Sequence, residues 1–438
     1  MSAKHSTTMG RKLLIIDVAA LGHDLLRRRV GDRFSDLQVR ATQSVLPAVT
    51  CTVQASFRTA SLPASHGMIA NGLYYRYLNR PMFWEQSSYL VQGPRIWENF
   101  RRAGGTVGMM FWQQSMGEQV DLLLTPAPVH KHHGGMIQDC YAQPHGLYET
   151  LCRRVGSRFK LHQYWGPLAS AKVGDWIAKA GAAVLADREL APDLLMIYLP
   201  SLDYDLQRRG PGDDKCRIAL DATLAQLNLL LQAARDNGYE VLAFGDYAIG
   251  PVTGQVVYPN RHLRQAGLLT VRPVGRMEYM DFYASKAFAV VDHEVAHVYV
   301  KDPSDVPKVA AKLRSLEGID RVLTGDELAQ AGLAHADSGE VVLVAKEGCW
   351  LAYPWWTDNR RRPDYATHVD IHNKPGYDPC ELFFGWPPPS VSLDPRRIRG
   401  SHGRVKGRDV AYLTSLPLGG AGNLVDLAAS VGQWLDEI

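Results

Sequence analysis

The stretch with the clearest potential for chemistry spans residues 50–71 and reads TCTVQASFRTASLPASHGMIAN. It begins with two hydroxyl side chains, Thr50 and Thr52, on either side of the thiol of Cys51. A hydroxyl at the start of a helix is well placed for phosphate chemistry, because the unpaired backbone N–H groups there attract an anion. The same position is also the ordinary place of a capping threonine. The stretch alone therefore leaves two interpretations of Thr50, a nucleophile and a helix cap.

Aspartates follow apolar runs at three places in the chain. Asp17 follows LLII, Asp203 comes shortly after LLMIYL, and Asp246 follows VLAFG. Short apolar runs of this kind are typical of buried parallel strands, and ligands gather beyond the carboxyl ends of such strands. Because helical patterns alternate with these strands, the sequence predicts a doubly wound α/β domain whose carboxylates converge on one edge. Converging carboxylates repel one another, and a bound divalent metal offsets that repulsion.

The composition bears on which partners the protein could bind and where in the cell it would be found. The 438 residues carry a formal charge of only +3, which gives no argument for nucleic acid or for an anionic membrane. The six cysteines are scattered without the paired spacing of a metal site, which favours reduced thiols in a cytoplasmic protein. Neither a secretory signal nor a stretch as long as a membrane span is recognisable. We therefore expect a cytoplasmic protein that binds neither nucleic acid nor a membrane; the oligomeric state stays open.

The segment His293-Glu294-Val295-Ala296-His297 matches the H-E-x-x-H pattern of zinc metalloproteases. That chemistry requires a helix, which places both histidines on one face. The flanking residues are rich in β-branched and aromatic types and predict strand. On a strand, the two histidines would lie roughly 13 Å apart. The pattern therefore predicts a polar strand face and not a zinc protease.

The order and spacing of these motifs resemble the type I phosphodiesterase/nucleotide pyrophosphatase branch of the alkaline phosphatase superfamily. Thr50 stands sixteen residues before His66 and twenty-one before Asn71, as in that family's block from a threonine through Pro-x-Ser-His-Gly to an asparagine. The three aspartates follow in the family's order, and Gly-Ser-His-Gly around His402 completes the set. The motifs together span nearly the whole chain.

The resemblance implies an alkaline-phosphatase-like fold, a doubly wound and mostly parallel sheet flanked by helices, with a smaller α+β cap inserted. We expect residues 1–250 to form the first part of the catalytic core, residues 251–389 the inserted cap, and residues 390–438 the rest of the core, which carries His402.

The resemblance also implies two divalent metal ions, with zinc or manganese favoured and magnesium as a further candidate. One ion would be held by Asp17, Thr50 and Asp246, and the other by Asp203 and His402. Two such ions can stabilise both the attacking and the leaving oxygen of an in-line displacement.

The implied function is metal-dependent hydrolysis of a phosphodiester or pyrophosphate in a small, nucleotide-like substrate. Thr50 would be the nucleophile and form a phospho-threonine intermediate. Asn71 would donate a hydrogen bond to a non-bridging phosphoryl oxygen. Two alternatives stay open: a phosphomonoesterase or phosphonate hydrolase of the same superfamily, and a non-catalytic protein that binds phosphoesters.

Two positions depart from the family's pattern. Gln207 stands where the family has a histidine, four residues after the second-site aspartate. Tyr247 stands where the family has the histidine of its Asp-His-Gly motif, which reads Asp246-Tyr247-Ala248 in this chain. Three explanations follow. The Gln207 amide and Tyr247 phenol could serve as oxygen ligands, which suit manganese or magnesium better than zinc. A histidine from elsewhere, with His372 as the first candidate, could substitute, or metal binding could be lost.

Overall fold

The computed structural model describes residues 11–31, 33–133 and 135–437. The strands are β1 Leu13–Val18, β2 Gln38–Thr42, β3 Gly72–Tyr75, β4 Arg80–Phe83, β5 Val107–Met110, β6 Leu122–Pro126, β7 Val129–His130, β8 Met136–Ile137, β9 Cys140–Gln143, β10 Leu194–Leu199, β11 Glu240–Gly245, β12 Gly250–Pro251, β13 Val256–Val257, β14 Val271–Val274, β15 Met277–Met280, β16 Ala287–Asp292, β17 Val295–Val300, β18 Ile319–Thr324, β19 Val341–Ala345, β20 Trp350–Leu351, β21 Gly400–Ser401 and β22 Val410–Thr414.

The α-helices are α1 His23–Arg27, α2 Thr50–Thr59, α3 Pro63–His66, α4 Glu98–Arg102, α5 Leu147–Val155, α6 Leu161–Tyr164, α7 Lys172–Leu185, α8 Leu202–Arg209, α9 Asp214–Asp236, α10 Pro259–Gln265, α11 Val306–Arg314, α12 Asp326–Gln330 and α13 Leu424–Asp436. Short 3₁₀ helices cover Ser88–Leu90, Pro303–Asp305, Asn359–Arg361, Asp364–Thr367, Pro379–Leu382 and Pro395–Arg397. Among the described helices, none combines the length and the apolar character needed to cross a membrane.

An eight-stranded sheet forms the centre of the fold, in the order β2-β22-β11-β1-β10-β5-β6-β9. The five strands from β11 to β6 run parallel, whereas β22 and β9 pair antiparallel with their inner neighbours. Every residue of β1 and β10 is buried, as expected for parallel strands covered by helices on both faces. The predicted mostly parallel, doubly wound sheet is confirmed.

The sheet register explains why the predicted aspartates lie near one another. Strands β10, β1 and β11 are immediate neighbours and end at the same edge. Asp17 is paired in register with Tyr198 of β10 on one side and Phe244 of β11 on the other. Asp246 directly follows β11, and Asp203 lies in the first turn of α8, shortly after β10. This edge therefore collects all three carboxylates.

A second sheet, of four antiparallel strands, has the order β16-β17-β19-β18 and is formed by residues 287–345. It lies within the segment 251–389, whose exact boundaries as an inserted cap stay a prediction. Residues 410–414 return to the central sheet as β22, and α13 packs against α2. Through the turn between β16 and β17, the second sheet contributes side chains to the edge that holds the aspartates.

Candidate active site

Thr50 is the first residue of α2, and its side chain does not cap the helix. Val49 occupies the N-cap position, and no side chain makes a capping hydrogen bond there. The nearly buried Thr50 hydroxyl lies 3.4 Å from the hydroxyl of Tyr198, and the phenol of Tyr247 also faces it. The capping interpretation is therefore wrong, which leaves the Thr50 hydroxyl available for chemistry.

Asp17 and Asp246 are fully buried, and each has one oxygen without a hydrogen-bond partner. Gln54 donates to Oδ2 of Asp17 at 2.6 Å, and the backbone N–H groups of Ala20 and Tyr247 donate to Oδ1 of Asp246. Burial raises the pKa of Asp17 to about 8, and burial with the charge of Asp17 raises the pKa of Asp246 well above its usual range. A cation next to these two buried, unpartnered carboxylate oxygens would stabilise their ionised form.

Asp203 has a different environment, because both of its oxygens already accept hydrogen bonds. Gln207 lies four residues further along α8 and therefore shares a face with Asp203; its Nε2 donates to Oδ2 at 2.6 Å. The hydroxyl of Tyr247 donates to Oδ1 at 3.2 Å. His402 Nε2 lies 3.8 Å from the same Oδ1. Burial raises the pKa of Asp203 to about 7, although both hydrogen bonds act in the opposite direction.

Four aromatic rings stack beside Asp203 in a continuous column, in the order Tyr247, His402, His293 and Tyr377. Neighbouring ring centroids lie 3.5, 3.7 and 3.7 Å apart. The tyrosine hydroxyls at the two ends of the column make hydrogen bonds to Asp203 and Gln207. Tyr247 donates to Asp203, and Tyr377 donates to Gln207 Oε1 at 3.1 Å. We call this group the ring column.

The two imidazoles of the ring column are each held by one nitrogen. His402 Nδ1 lies 2.7 Å from the carbonyl of Ala48, and His293 Nδ1 lies 2.7 Å from Asp292 Oδ1. The Nε2 atoms of both histidines are buried without a partner. A nitrogen that is fixed in orientation and left unpaired is available to hold or move a proton, or to bind a ligand.

Asp292 also fixes Asn71, the predicted phosphoryl-oxygen donor. The backbone N–H and the Nδ2 of Asn71 donate to the two carboxylate oxygens of Asp292, at 2.7 and 3.1 Å. Asn71 Oδ1 accepts from the backbone N–H of Cys51 at 2.9 Å, next to Thr50. Burial raises the pKa of Asp292 to about 6. The side chain of Asn71 is thus held between the start of α2 and the turn of the second sheet.

The H-E-x-x-H segment is only partly the predicted strand. His293 and Glu294 form the turn between β16 and β17, with His293 at φ 59, whereas Val295, Ala296 and His297 lie on β17. Glu294 pairs with Arg408 at 2.7 Å. His297 Nε2 lies 3.2 Å from the carbonyl of Ile69, and its Nδ1 accepts from the backbone N–H of Gly339. The two histidines have separate partners and do not lie on a helix, so the segment lacks the arrangement that the zinc-protease motif requires.

His297 provides a test of how the second sheet responds to acid. Burial lowers its pKa to about 4, although the hydrogen bond to the carbonyl of Ile69 and the charge of Asp292 act in the opposite direction. The unfolded chain protonates first, near pH 6.5, so stability falls as the pH falls from about 6.5 to about 4, by roughly 1–3 kcal/mol for this group. We expect His297→Gln to show a smaller loss in urea titrations across this range than the wild type. The exposed His368→Gln is the control, and an unchanged pH dependence in His297→Gln would contradict the assignment.

The remaining candidate residues lie outside this constellation. His372, the suggested substitute ligand, has its Nδ1 3.0 Å from the carbonyl of Phe83 and makes no described contact with Asp203. Cys51 is buried, which raises the pKa of its thiol to about 12 and disfavours the thiolate form. In the ranges that the structure describes, no three His, Cys, Asp or Glu side chains are arranged to hold a metal ion.

Sequence reasoning missed four residues of this site, namely Tyr198, Asp292, His293 and Tyr377. Tyr198 was visible only as one of the apolar residues of β10. The H-E-x-x-H match did draw attention to His293, but no local signal pairs it with His402, which lies more than a hundred residues away. Such contacts depend on how the second sheet packs against the edge of the first.

Comparison with solved structures supports the fold. Phosphonoacetate hydrolase from Sinorhizobium meliloti 1021, in complex with phosphonoformate, has a TM-score of 0.65 and 18% identity, over 97% of this chain and 96% of that chain. Murine ectonucleotide pyrophosphatase/phosphodiesterase 5, as an inactive threonine-to-alanine variant in complex with AMP, has a TM-score of 0.60 and 14% identity, over 97% and 95%. The human form of that protein also has a TM-score of 0.60 and 14% identity, with the same coverage.

No curated protein sequence matches this chain. The family model described as type I phosphodiesterase / nucleotide pyrophosphatase matches residues 13–378, which is most of the chain and includes every predicted site residue except His402. This match confirms the predicted class of enzyme, a hydrolase of phosphoric ester or pyrophosphate bonds. The chain therefore belongs to the type I phosphodiesterase/nucleotide pyrophosphatase family.

Proposed function

We propose that this protein is a metal-dependent phosphoric ester hydrolase that uses the Thr50 hydroxyl as its nucleophile and forms a phospho-threonine intermediate. One observation carries the proposal: the hydroxyl of Thr50 makes no capping bond and lies at the sheet edge that holds two buried, incompletely paired carboxylates, Asp17 and Asp246. A threonine-to-alanine variant of the murine structural neighbour is inactive, which supports the same role.

The residues of the first implied metal set fit a divalent ion. Asp17 and Asp246 each have a free, buried oxygen, and Thr50 offers its hydroxyl, so these three residues would hold zinc, manganese or magnesium. When bound, the ion supplies positive charge that lowers the pKa of the attacking hydroxyl and stabilises charge on the phosphoryl group. The second implied set does not fit in the same way, because both oxygens of Asp203 already accept hydrogen bonds. The proposed chemistry therefore uses the first set alone.

The chain's own groups would position the phosphoryl group for attack. The N-terminus of the ten-residue helix α2 favours a negative charge next to Thr50. Asn71 is fixed by Asp292 and by the backbone of Cys51, and its Nδ2 would donate its remaining hydrogen to a non-bridging oxygen. Tyr198 lies within reach of the Thr50 hydroxyl and would orient it.

The substrate would be a small phosphoester or nucleotide-like molecule. AMP in the murine neighbour supports this class, whereas phosphonoformate in the phosphonoacetate hydrolase supports the alternative of a phosphonate hydrolase. The neutral donors on Asp203 favour the third candidate, a non-catalytic phosphoester-binding protein. The six free cysteines in the described residues support a cytoplasmic location.

A substrate panel tests the proposal. We expect the purified protein to hydrolyse bis-p-nitrophenyl phosphate in the presence of zinc, manganese or magnesium, and to lose this activity when the metal is removed with EDTA. Faster turnover of p-nitrophenyl phosphate or phosphonoacetate would favour the monoesterase or phosphonate hydrolase. An absence of turnover with every substrate and every ion would contradict an enzymatic role and favour the binding protein.

Removal of the Asp292 carboxylate should lower turnover without removing a group that contacts the substrate. In Asp292→Ala, Asn71 loses two of the three hydrogen bonds that fix it and keeps only the one from the backbone N–H of Cys51. A misplaced donor costs about 10- to 100-fold in rate. We expect a fall of that size in kcat on bis-p-nitrophenyl phosphate. Asp302→Ala, at an exposed turn after β17, is the matched control and should leave kcat unchanged. An unchanged kcat in Asp292→Ala would exclude the positioning role of Asp292.

A further inference from the structure

We infer that this protein holds one divalent cation, at Asp17, Thr50 and Asp246, and that Gln207 and Tyr247 fill the place of the second cation that the family resemblance implies. The inference rests on the proposed function, because it concerns the same site. It also decides between the explanations of the two departures from the family's pattern: neither side chain acts as a metal ligand.

The hydrogen bonds of Asp203 give the first reason. Gln207 presents its amide nitrogen to Asp203, at 2.6 Å from Oδ2, and a flipped amide would place two acceptor oxygens against each other. Tyr247 likewise presents its hydroxyl hydrogen to Oδ1. Both side chains therefore act towards Asp203 as proton donors, in the direction opposite to that of a ligand oxygen. A cation at Asp203 would have to share each oxygen with one of these donors, whereas Asp17 and Asp246 each have an oxygen without a partner.

The number of available ligands gives the second reason. Only the Nε2 of His402, 3.8 Å from Asp203 Oδ1, remains on the Asp203 side as a further ligand atom in the family's set. A catalytic zinc site normally has three protein ligands. The first set provides that number, with two unpartnered carboxylate oxygens and the hydroxyl of Thr50, whereas the second set, Asp203 and His402, provides two. The unpartnered Nε2 of His293 lies outside the family's set, and its ring packs against His402 and is held through Nδ1 by Asp292.

The ring column gives the third reason. His402 stacks on Tyr247 with parallel rings 3.5 Å apart, and on His293 at 3.7 Å. These contacts hold its imidazole from both faces, and Tyr377 closes the far end of the column while also contacting Gln207. The side of Asp203 that faces His402 is thus lined by packed aromatic rings.

Metal counting on the full-length protein tests the inference. Samples are saturated with Zn²⁺ or, in parallel, Mn²⁺, freed of excess ion by gel filtration, and measured by elemental analysis. We expect about one ion per chain in the wild type, none in Asp17→Asn and about one in Asp203→Asn. The double variant Q207H/Y247H should gain an ion and reach about two. Every count is repeated with H130A/H132A/H133A, so that zinc on this exposed loop is not counted.

Hydrolysis of bis-p-nitrophenyl phosphate by the same samples separates the inference from the proposed function. Two ions in the wild type, one of which is lost in Asp203→Asn, would overturn the inference whether or not the protein turns over substrate. A wild type without any bound ion would also overturn it. One ion without turnover of any phosphoester would leave the inference standing and overturn the proposed function.

Discussion

Thr50→Ala is expected to lower turnover of bis-p-nitrophenyl phosphate by at least about a thousandfold, because it removes the attacking oxygen. The change deletes a hydroxyl that has neither a capping role nor a hydrogen bond shorter than 3.4 Å. The fold should therefore be retained, with a melting temperature close to that of the wild type. Steady-state rates and thermal unfolding together make the measurement.

Two further variants make this result specific to one hydroxyl. Thr52→Ala removes a buried hydroxyl from the same helix, two residues away, and should retain activity. Thr50→Ser keeps a hydroxyl at the reacting position and should retain measurable turnover. In acid-quenched wild-type reactions, a phosphorylated peptide that contains Thr50 would be direct evidence for the intermediate. Wild-type-like rates in Thr50→Ala would rule out the covalent mechanism.

Asp246→Asn should raise the stability of the metal-free protein and lower its turnover when metal is present. The amide removes one of two buried carboxylates that raise each other's energy, and each of them has an oxygen without a partner. The metal-free variant should therefore be more stable than the metal-free wild type, by roughly 1–2 kcal/mol. The same change removes a ligand of the proposed cation, so turnover should fall by at least about a hundredfold.

Thermal unfolding with and without metal measures both effects. Added Zn²⁺ or Mn²⁺ should raise the melting temperature of the wild type, because an ion that binds only the folded state stabilises it. The same ions should leave the melting temperature of Asp246→Asn unchanged. Asp236→Asn, at the exposed end of α9, is the matched control and should behave like the wild type. A variant that is less stable than the wild type without metal would contradict the repulsion between the two carboxylates.

The parts of the site that lie on the central sheet could be predicted from the sequence. The run at residues 194–199 is the strand β10 with the same bounds, and the runs before Asp17 and Asp246 are β1 and β11. Continuous apolar runs are a local signal of buried parallel strands, and the common edge of three parallel neighbours follows from topology. The convergence of the carboxylates needed no knowledge of distant contacts.

The contribution of the second sheet could not be predicted in the same way. The turn at His293 and Glu294 contains neither glycine nor asparagine, which usually mark a tight hairpin. His293 adopts a positive φ although its side chain makes that conformation unfavourable. The segment therefore resembled one continuous strand. Asp292 and Asn71 are 221 residues apart, and no local sequence pattern predicts their contact.

The turn between β16 and β17 makes the proposed active site depend on the contact between the two sheets. Thr50 and the three aspartates lie at the edge of the central sheet, whereas Asp292, which would orient Asn71, and His293 of the ring column lie at the turn of the second sheet. Local opening of this hairpin would withdraw both at once while every strand of the central sheet stayed paired. Activity at the proposed site would therefore require the second sheet to stay packed against the central sheet. We expect it to be lost and regained by local opening of the hairpin, without global unfolding.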